Sequence, residues 1–339
     1  MSIWRTLFCL GCCLIMAGCQ PRGVETVDPD WQTFKSRFIA TEGRVIDTGN
    51  GGISHSEGQG YGMLLAVQHN DQETFQTLWQ WTRANLQVRN DKLFIWRKRP
   101  NVELKDEDPN DASDGDTLIA WALLKAGEQW QQADYRDAAL AILADIKHKL
   151  IVSWHGLTVL LPGEQGFVNE GAITVNLSYW VYPALKAFTV SDPDPIWQQL
   201  SDSGLTLLQQ ARYGHRQLPP DWLKLKSDNT MEAANNKRFG YDAVRIPLYL
   251  ALGGMDAQAL TKFADYWAYY QGYTPAWIDL SENVIDGDGA SVGMEAVKQL
   301  TLWRSGRSDG MTLKPLAADQ DYYSSTLLML SKLGAKSSL

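Results

Sequence analysis

The chain has 339 residues, 45% of them hydrophobic, and a formal charge of −8. That length holds one large domain or two average ones, and the acidic balance without any Lys/Arg run excludes a polyphosphate partner such as nucleic acid. A neutral polymer meets no such barrier, and 14 tryptophans and 13 tyrosines supply flat rings that stack on sugar faces, although rings in helical proteins also simply fill cores.

Residues 1–18 read as a secretion signal, with Arg5 the single charge, an apolar run from Leu7 to Met16, and small residues Ala17-Gly18 before the cut. The run is too short for a stable membrane span. Met16-Ala17-Gly18-Cys19 approximates the sequence cleaved ahead of an acylated cysteine, an ordinary signal cut nearby being the alternative. Gln20 rather than Asp after that cysteine points to the outer membrane. The expected layout is signal 1–18, a tether 19–28 lipidated at Cys19, and a single domain 29–335. Cys9, Cys12, Cys13 and Cys19 all precede the domain, so no internal disulfide staples it and a large apolar core must hold it.

Helical spacing then recurs along the chain: Trp31, Phe34, Phe38; Phe75, Leu78, Trp79, Thr82, Leu86; Leu118, Ile119, Ala122, Leu123, Ala126, Trp130; Ala139, Ile142, Leu143, Ile146, Leu150; Leu260, Phe263, Ala264, Trp267, Tyr270; Tyr323, Thr326, Leu327, Leu330, Leu333. Alternation of the strand kind is confined to Leu93–Trp96 and Leu157–Leu161, which suit loops or small hairpins. Breaks at Asp192-Pro193-Asp194-Pro195, Pro219-Pro220 and Asp286-Gly287-Asp288-Gly289 fall between helices and look like loops rather than linkers. Periodicity by itself predicts one large all-α domain.

Four stretches carry candidate chemistry. Ser56-Glu57-Gly58-Gln59-Gly60-Tyr61-Gly62-Met63 sets one carboxylate among glycines ahead of apolar Leu64–Val67. A carboxyl held partly dry against a ring keeps its proton, as a general acid must, and glycines at 58, 60 and 62 would clear room for substrate. The plainer reading makes Glu57 a first-turn charge that the helix dipole favours. Ala112-Ser113-Asp114-Gly115-Asp116 puts two carboxylates at a helix head, where Ser113 or Asp114 could cap and Asp116 could complement the dipole. Asn176-Leu177-Ser178-Tyr179-Trp180 is the third stretch. In Phe239-Gly240-Tyr241-Asp242-Ala243-Val244-Arg245, the guanidinium would lower the Asp242 pKa, or simply form a helical ion pair with it.

In this order the four stretches, from about Trp31 to about Leu333, resemble glycoside hydrolase family 8, and within it the periplasmic endoglucanases encoded with bacterial cellulose synthases. The resemblance implies an all-α (α/α)6 barrel, a double ring of helices, and inverting hydrolysis of β-1,4-glucan with no metal or organic cofactor. By motif it implies Glu57 as general acid, Asp242 as general base and Asp114 as the carboxylate that binds and distorts the sugar at the cleavage point. Tyr179 and Arg245 would help to hold the water and the base, and Trp96 would stack on substrate unless it is a core ring. Asp116 is left to organise the helix start. Tyr61 and Tyr241 flank the acid and the base and either shape the cleft or pack.

Other motifs carry less. Gly289-Ala290-Ser291-Val292-Gly293 has the spacing of a nucleophile elbow but follows a loop instead of a buried strand. Counting from Asp286, a calcium loop would place Ala290 and Val297 where oxygen ligands are needed. No strand precedes Gly58, Gly60 and Gly62, so they are no dinucleotide fingerprint. The five histidines show no paired metal spacing, and His55, close to Glu57, reads as a solvated loop residue or a substrate contact. The expected partners are β-1,4-glucan chains, the cellulose synthesis and secretion machinery, and a membrane reached through the lipid. Xylan or chitosan hydrolysis, or glucan binding without turnover, are the alternatives.

Overall fold

The computed structural model describes residues 28–336. The expected signal, tether and Cys19 lie outside the described residues, apart from Asp28, whose side chain caps the first helix by accepting from the Asp30 and Trp31 N–H groups. Eleven α-helices follow among the described residues: α1 (Pro29–Phe38), α2 (Ser56–Gln68), α3 (Gln72–Asn85), α4 (Ser113–Gln129), α5 (Ala133–Asp145), α6 (Tyr182–Ser191), α7 (Ile196–Gln210), α8 (Arg245–Leu252), α9 (Ala257–Tyr269), α10 (Val292–Arg304) and α11 (Tyr322–Lys336).

Burial sorts them into two layers. Helices α2, α4, α8 and α11 are buried along almost their whole length. A helix apolar all round belongs inside. These four close a ring with α6 and α10, while α1, α3, α5, α7 and α9 pack outside it. The outer helices bury one stripe each, as Phe75, Leu78, Trp79 and Thr82 do on α3. The result is an (α/α)6 barrel in which irregular residues 305–321 stand between α10 and α11, where a twelfth helix would sit.

All six helical stretches read from periodicity lie on helices, the one from Ala139 to Leu150 ending in a π-turn over Ile146–Leu150. Leu157–Leu160 forms the expected hairpin with Ile151–Trp154. The four-stranded antiparallel sheet of Val168–Asn169, Ala172–Val175, Trp222–Lys226 and Met231–Ala234 was not legible, because two strands come from each side of α6 and α7 and pair across 50 residues of chain. The Asp286 loop is a structural turn: its carboxylate accepts from the Ala276 N–H at 2.6 Å and also from that of Gly289. Ser291 caps α10 by accepting from the Met294 N–H at 3.3 Å.

Candidate active site

The chemistry gathers where inner helices begin. Glu57 is the second residue of α2, Asp114 the second of α4, Arg245 the first of α8 with Asp242 in the turn just before it, and Tyr322 and Tyr323 open α11. All are at one pole of the barrel, where unpaired N–H groups and the helix dipoles favour negative charge. A cleft of about 280 Å³ opens there, lined by Glu57, Trp96, Asp114, Tyr179, Tyr241, Asp242, Arg245 and seven further residues that include His55, Asp47 and Tyr323. A larger hollow of about 800 Å³ is bordered by Gly127, Glu128, Gly253 and Gly254. It sits at the C-terminal ends of α4 and α8, the opposite pole, and Glu128 is its only carboxylate, so the chemistry is not there.

Close helix packing, rather than substrate clearance, explains the glycines. A Cβ on Gly60 would lie 2.6 Å from Leu118 Cβ, one on Gly62 2.9 Å from Val45, and one on Gly58 3.0 Å from the Tyr322 hydroxyl. Gly115 answers from α4, where a Cβ would lie 2.1 Å from Ser56 Oγ. The two helices therefore touch along glycine, and this brings the heads bearing Glu57 and Asp114 side by side.

One guanidinium joins the three motif carboxylates. Arg245 Nη1 pairs with Glu57 Oε1 and stands 3.4 Å from Asp114 Oδ2, while Nη2 is 2.7 Å from Asp242 Oδ1 and 2.9 Å from Ser178 Oγ. Its side chain is 4% exposed, and its Cζ lies 5.8 Å from the centre of the Tyr179 ring. The ion pair of Asp242 with Arg245 is thus neither superficial nor confined to one helix. Trp222 Nε1 donates to Asp242 Oδ2 at 3.1 Å, and the Asn176 amide also faces that carboxylate. Glu57 additionally accepts from the Tyr61 hydroxyl at 3.2 Å, so it is met by an arginine as well as by an aromatic residue.

Contrary to expectation, Arg245 does not leave Asp242 with a pKa below the ordinary carboxylate range. Burial first, and then the charges of Asp221 and Asp114, push Asp242 up to about 7 against the donors Asn176 and Trp222. Protein packed behind the carboxylate raises its proton affinity, while its front opens to the cleft with the side chain 30% exposed. Burial likewise pushes Asp114 up to about 7. Tyr61 and Tyr179 are raised well above the ordinary phenol range by burial, so both remain neutral hydroxyls.

Three further expectations need correction. Tyr61 does not touch the cleft: it is 1% exposed and reaches back to Glu57 and to the Tyr249 hydroxyl. Neither Ser113 nor Asp114 caps α4, whose cap is Ala112 with no side-chain bond; Asp114 Oδ1 instead accepts from the neighbouring Gly115 N–H at 2.8 Å. Asp116, fully buried, does more than complement the dipole, because its Oδ1 accepts from the Phe94 N–H at 2.9 Å and moors the segment leading to Trp96. Burial and the Asp111 charge push its pKa well up.

Trp96 is no core ring. It lines the cleft, donates through Nε1 to Asp108 Oδ2 at 2.9 Å, and carries the Arg97 guanidinium 4.2 Å from its ring centre. His55, read as a loop residue, is the cap of α2: its Nδ1 accepts from the Gly58 N–H at 3.0 Å, leaving Nε2 to face Asp47 Oδ2 at 3.3 Å. The same Nδ1 is 3.7 Å from Glu57 Oε2. Asp47, Trp222, Asp221 and Tyr323 went unnoticed because each lies outside the four motifs, Asp47 and Asp221 on loops, Trp222 at the start of a strand and Tyr323 at the head of α11. Only a charged or aromatic residue beside a break, as in Pro219-Pro220-Asp221-Trp222, hints at them.

The family model "Glycosyl hydrolases family 8" matches residues 11–337. A "probable endoglucanase" of Novacetimonas hansenii is 39% identical over 312 residues, covering 90% of each chain. An endoglucanase of Cellulomonas uda is 41% identical, covering 80% of this chain and 77% of its own. Among solved structures, a GH8 endo-β-1,4-glucanase from an Achatina fulica gut metagenomic library superposes with a TM-score of 0.86 at 40% identity, covering 93% of this chain and 99% of that one.

Proposed function

Because the chain belongs to glycosyl hydrolase family 8, we propose that it is an inverting endo-β-1,4-glucanase whose acid is Glu57 and whose base is Asp242. The observation that carries this reading is the single Arg245 guanidinium touching Glu57, Asp114 and Asp242 in one cleft. An inverting glycosidase needs a protonated carboxyl at the leaving oxygen and an ionised one holding water on the opposite sugar face, roughly 6.5–9.5 Å away. Glu57 and Asp242 enter the cleft from different helices, with Arg245 between them. For Glu57 to hand over a proton its pair with Arg245 must open, and a sugar in the cleft supplies the occasion. Asp242 is a base poised near neutrality, held by Arg245 and Trp222 with one side free for water. Asp114, between them, faces the sugar that is distorted, and the Tyr179 ring and Arg245 bound the space for the water.

Trp96, together with the more exposed Tyr241, offers flat surface for glucose units on either side of the cut. Internal cutting of a soluble β-1,4-glucan lowers viscosity faster than reducing ends appear, and NMR of the earliest products shows the α-anomer. A first-formed β-anomer would mean a covalent intermediate and a different carboxylate pair. Faster cleavage of xylan or chitosan than of glucan would leave the mechanism and remove the substrate assignment. In the cell, the lipobox-like Met16–Cys19 and the motif resemblance support a periplasmic lipoprotein of the outer membrane that trims newly made cellulose for its synthesis and secretion machinery.

A further inference from the structure

Asp221 lies directly behind the proposed base and takes no part in the reaction as described above. It precedes Trp222, whose indole N–H holds Asp242 Oδ2, and it is 3% exposed. One oxygen, Oδ1, accepts from the Gly240 N–H and the Ala243 N–H, both at 2.9 Å, and the Asp242 N–H also points to the carboxylate. The other oxygen is 3.5 Å from the Asn236 amide nitrogen. Every hydrogen-bonding neighbour of this carboxylate is therefore a donor, the arrangement that suits an ionised group. A Cβ on Gly240 would stand 3.1 Å from Asp221 Oδ2, so the turn is pressed onto the carboxylate. Arg238 adds its carbonyl, which accepts from the Asp221 N–H at 2.6 Å.

We propose that Asp221 is the positioning residue of the base: its carboxylate clamps the Gly240–Ala243 turn that presents Asp242, and its negative charge strengthens Asp242 as a proton acceptor. The proposal rests on Asp242 being the base. The charged and titratable groups facing Asp242 are Arg245 from α8, Asp114 from α4, Asp221, and the Tyr179 and Tyr323 hydroxyls. Of the two carboxylates among them, Asp114 faces the cleft. Asp221 is closed off from the cleft by backbone; burial raises its proton affinity, and the N–H donors of Ala243 and Gly240 hold it towards the ionised form. An anion behind a base disfavours the ionised base and raises its affinity for the proton that water gives up. The guanidinium of Arg245 acts the other way, and the pair sets the balance.

Replacing Asp221 by Asn keeps an acceptor for Gly240 and Ala243 and removes only the charge, whereas Asp221→Ala removes both. The test is the pH profile of kcat/KM on a soluble cello-oligosaccharide, with circular dichroism to establish folding. Asp221→Asn is expected to fold, to move the acid limb towards lower pH by about one unit, and to lower kcat several-fold at the plateau because the base is weaker. Asp221→Ala should lose more than tenfold in kcat as the turn loosens. An acid limb that stays in place in folded Asp221→Asn would overturn the proposal. So would an Asp221→Asn chain that does not fold, since the charge would then serve the fold. Asp242→Asn separates this from the base assignment: if it is inactive while Asp221→Asn titrates like the wild type, Asp242 is the base and Asp221 does not tune it; if it is active, the base assignment itself falls.

Discussion

A Cβ on Gly115 would stand 2.1 Å from the Ser56 hydroxyl oxygen and 2.7 Å from the Glu57 nitrogen, so the heads of α4 and α2 meet with no room for one more carbon. The catalytic pole is built on that contact. Gly115→Ala must push the two heads apart, and overpacking of this kind costs about 1–3 kcal/mol. The expected outcome is a folded variant of lower Tm whose kcat falls at least tenfold, because Glu57 and Asp114 no longer share Arg245. Wild-type kcat beside a lowered Tm would mean that the contact serves stability alone.

The acid limb of activity should lie near neutrality. Asp242 must be ionised to act as base, and burial places its pKa at about 7, with Asp114 coupled to it by charge. The limb therefore belongs to the pair. A profile of kcat/KM should fall towards tenfold per unit below pH 7, and a limb two units lower would contradict the raised affinity.

Stability carries the same sign. A carboxyl whose pKa rises from 3.8 unfolded to about 7 folded binds its proton more tightly in the fold. Its contribution is complete below about pH 4 and is lost as pH rises through 7, which can reach roughly 4 kcal/mol. Asp114→Asn, with no charge to bury, should therefore melt higher than the wild type at pH 8, and the difference should shrink at pH 5. Thermal melts at the two pH values decide it. A lower Tm for the variant at pH 8 would show that Arg245 over-compensates the buried charge.

The sequence carries the helices because their apolar residues recur at helical spacing, and it carries the carboxylates because Glu57, Asp114 and Asp242 sit in long local motifs. It does not carry what converges from afar. Asp47 meets His55 through a loop, and Asp221 and Trp222 reach Asp242 from the start of a strand whose neighbour in the sheet lies about 50 residues earlier in the chain. The glycines misled for a related reason. Their local signal is freedom from side chains, and only the partner helix decides whether substrate or Leu118 occupies that space. For Asp242, the neighbouring Arg245 was legible, but the burial and the Asp221 charge that raise its pKa were not.

Trp96 should act on binding. Truncation to alanine removes a ring that lines the cleft without filling a core. A stacking contribution of about 1.4 kcal/mol corresponds to a tenfold change. We expect KM for soluble glucan to rise about tenfold in Trp96→Ala, with kcat changed less and Tm within a few degrees. A large loss of Tm instead would assign the ring to packing.

The proposed membrane attachment turns on Cys19. The wild type should partition with membranes and yield an acylated N-terminus by mass spectrometry, and Cys19→Ser should leave the membrane fraction while keeping its kcat. A wild-type protein found entirely in the soluble fraction with an unmodified N-terminus would contradict lipidation.

The assignment of acid and base is tested most directly by the turnover of Glu57→Gln and Asp242→Asn. Glutamine keeps the shape of Glu57 without a proton to transfer, and asparagine leaves the water site beside Trp222 and Arg245 nearly intact without a base. Each variant should still bind glucan and should lose more than the roughly 10²–10⁴ in kcat ascribed to one general acid or base, because a poor leaving group and a weak nucleophile both need help. If Glu57 were only a first-turn charge and Asp242 only an ion-pair partner, the variants would lose about 1 kcal/mol of stability and hydrolyse glucan nearly as before. A kcat within tenfold of the wild type in either one would contradict the assignment.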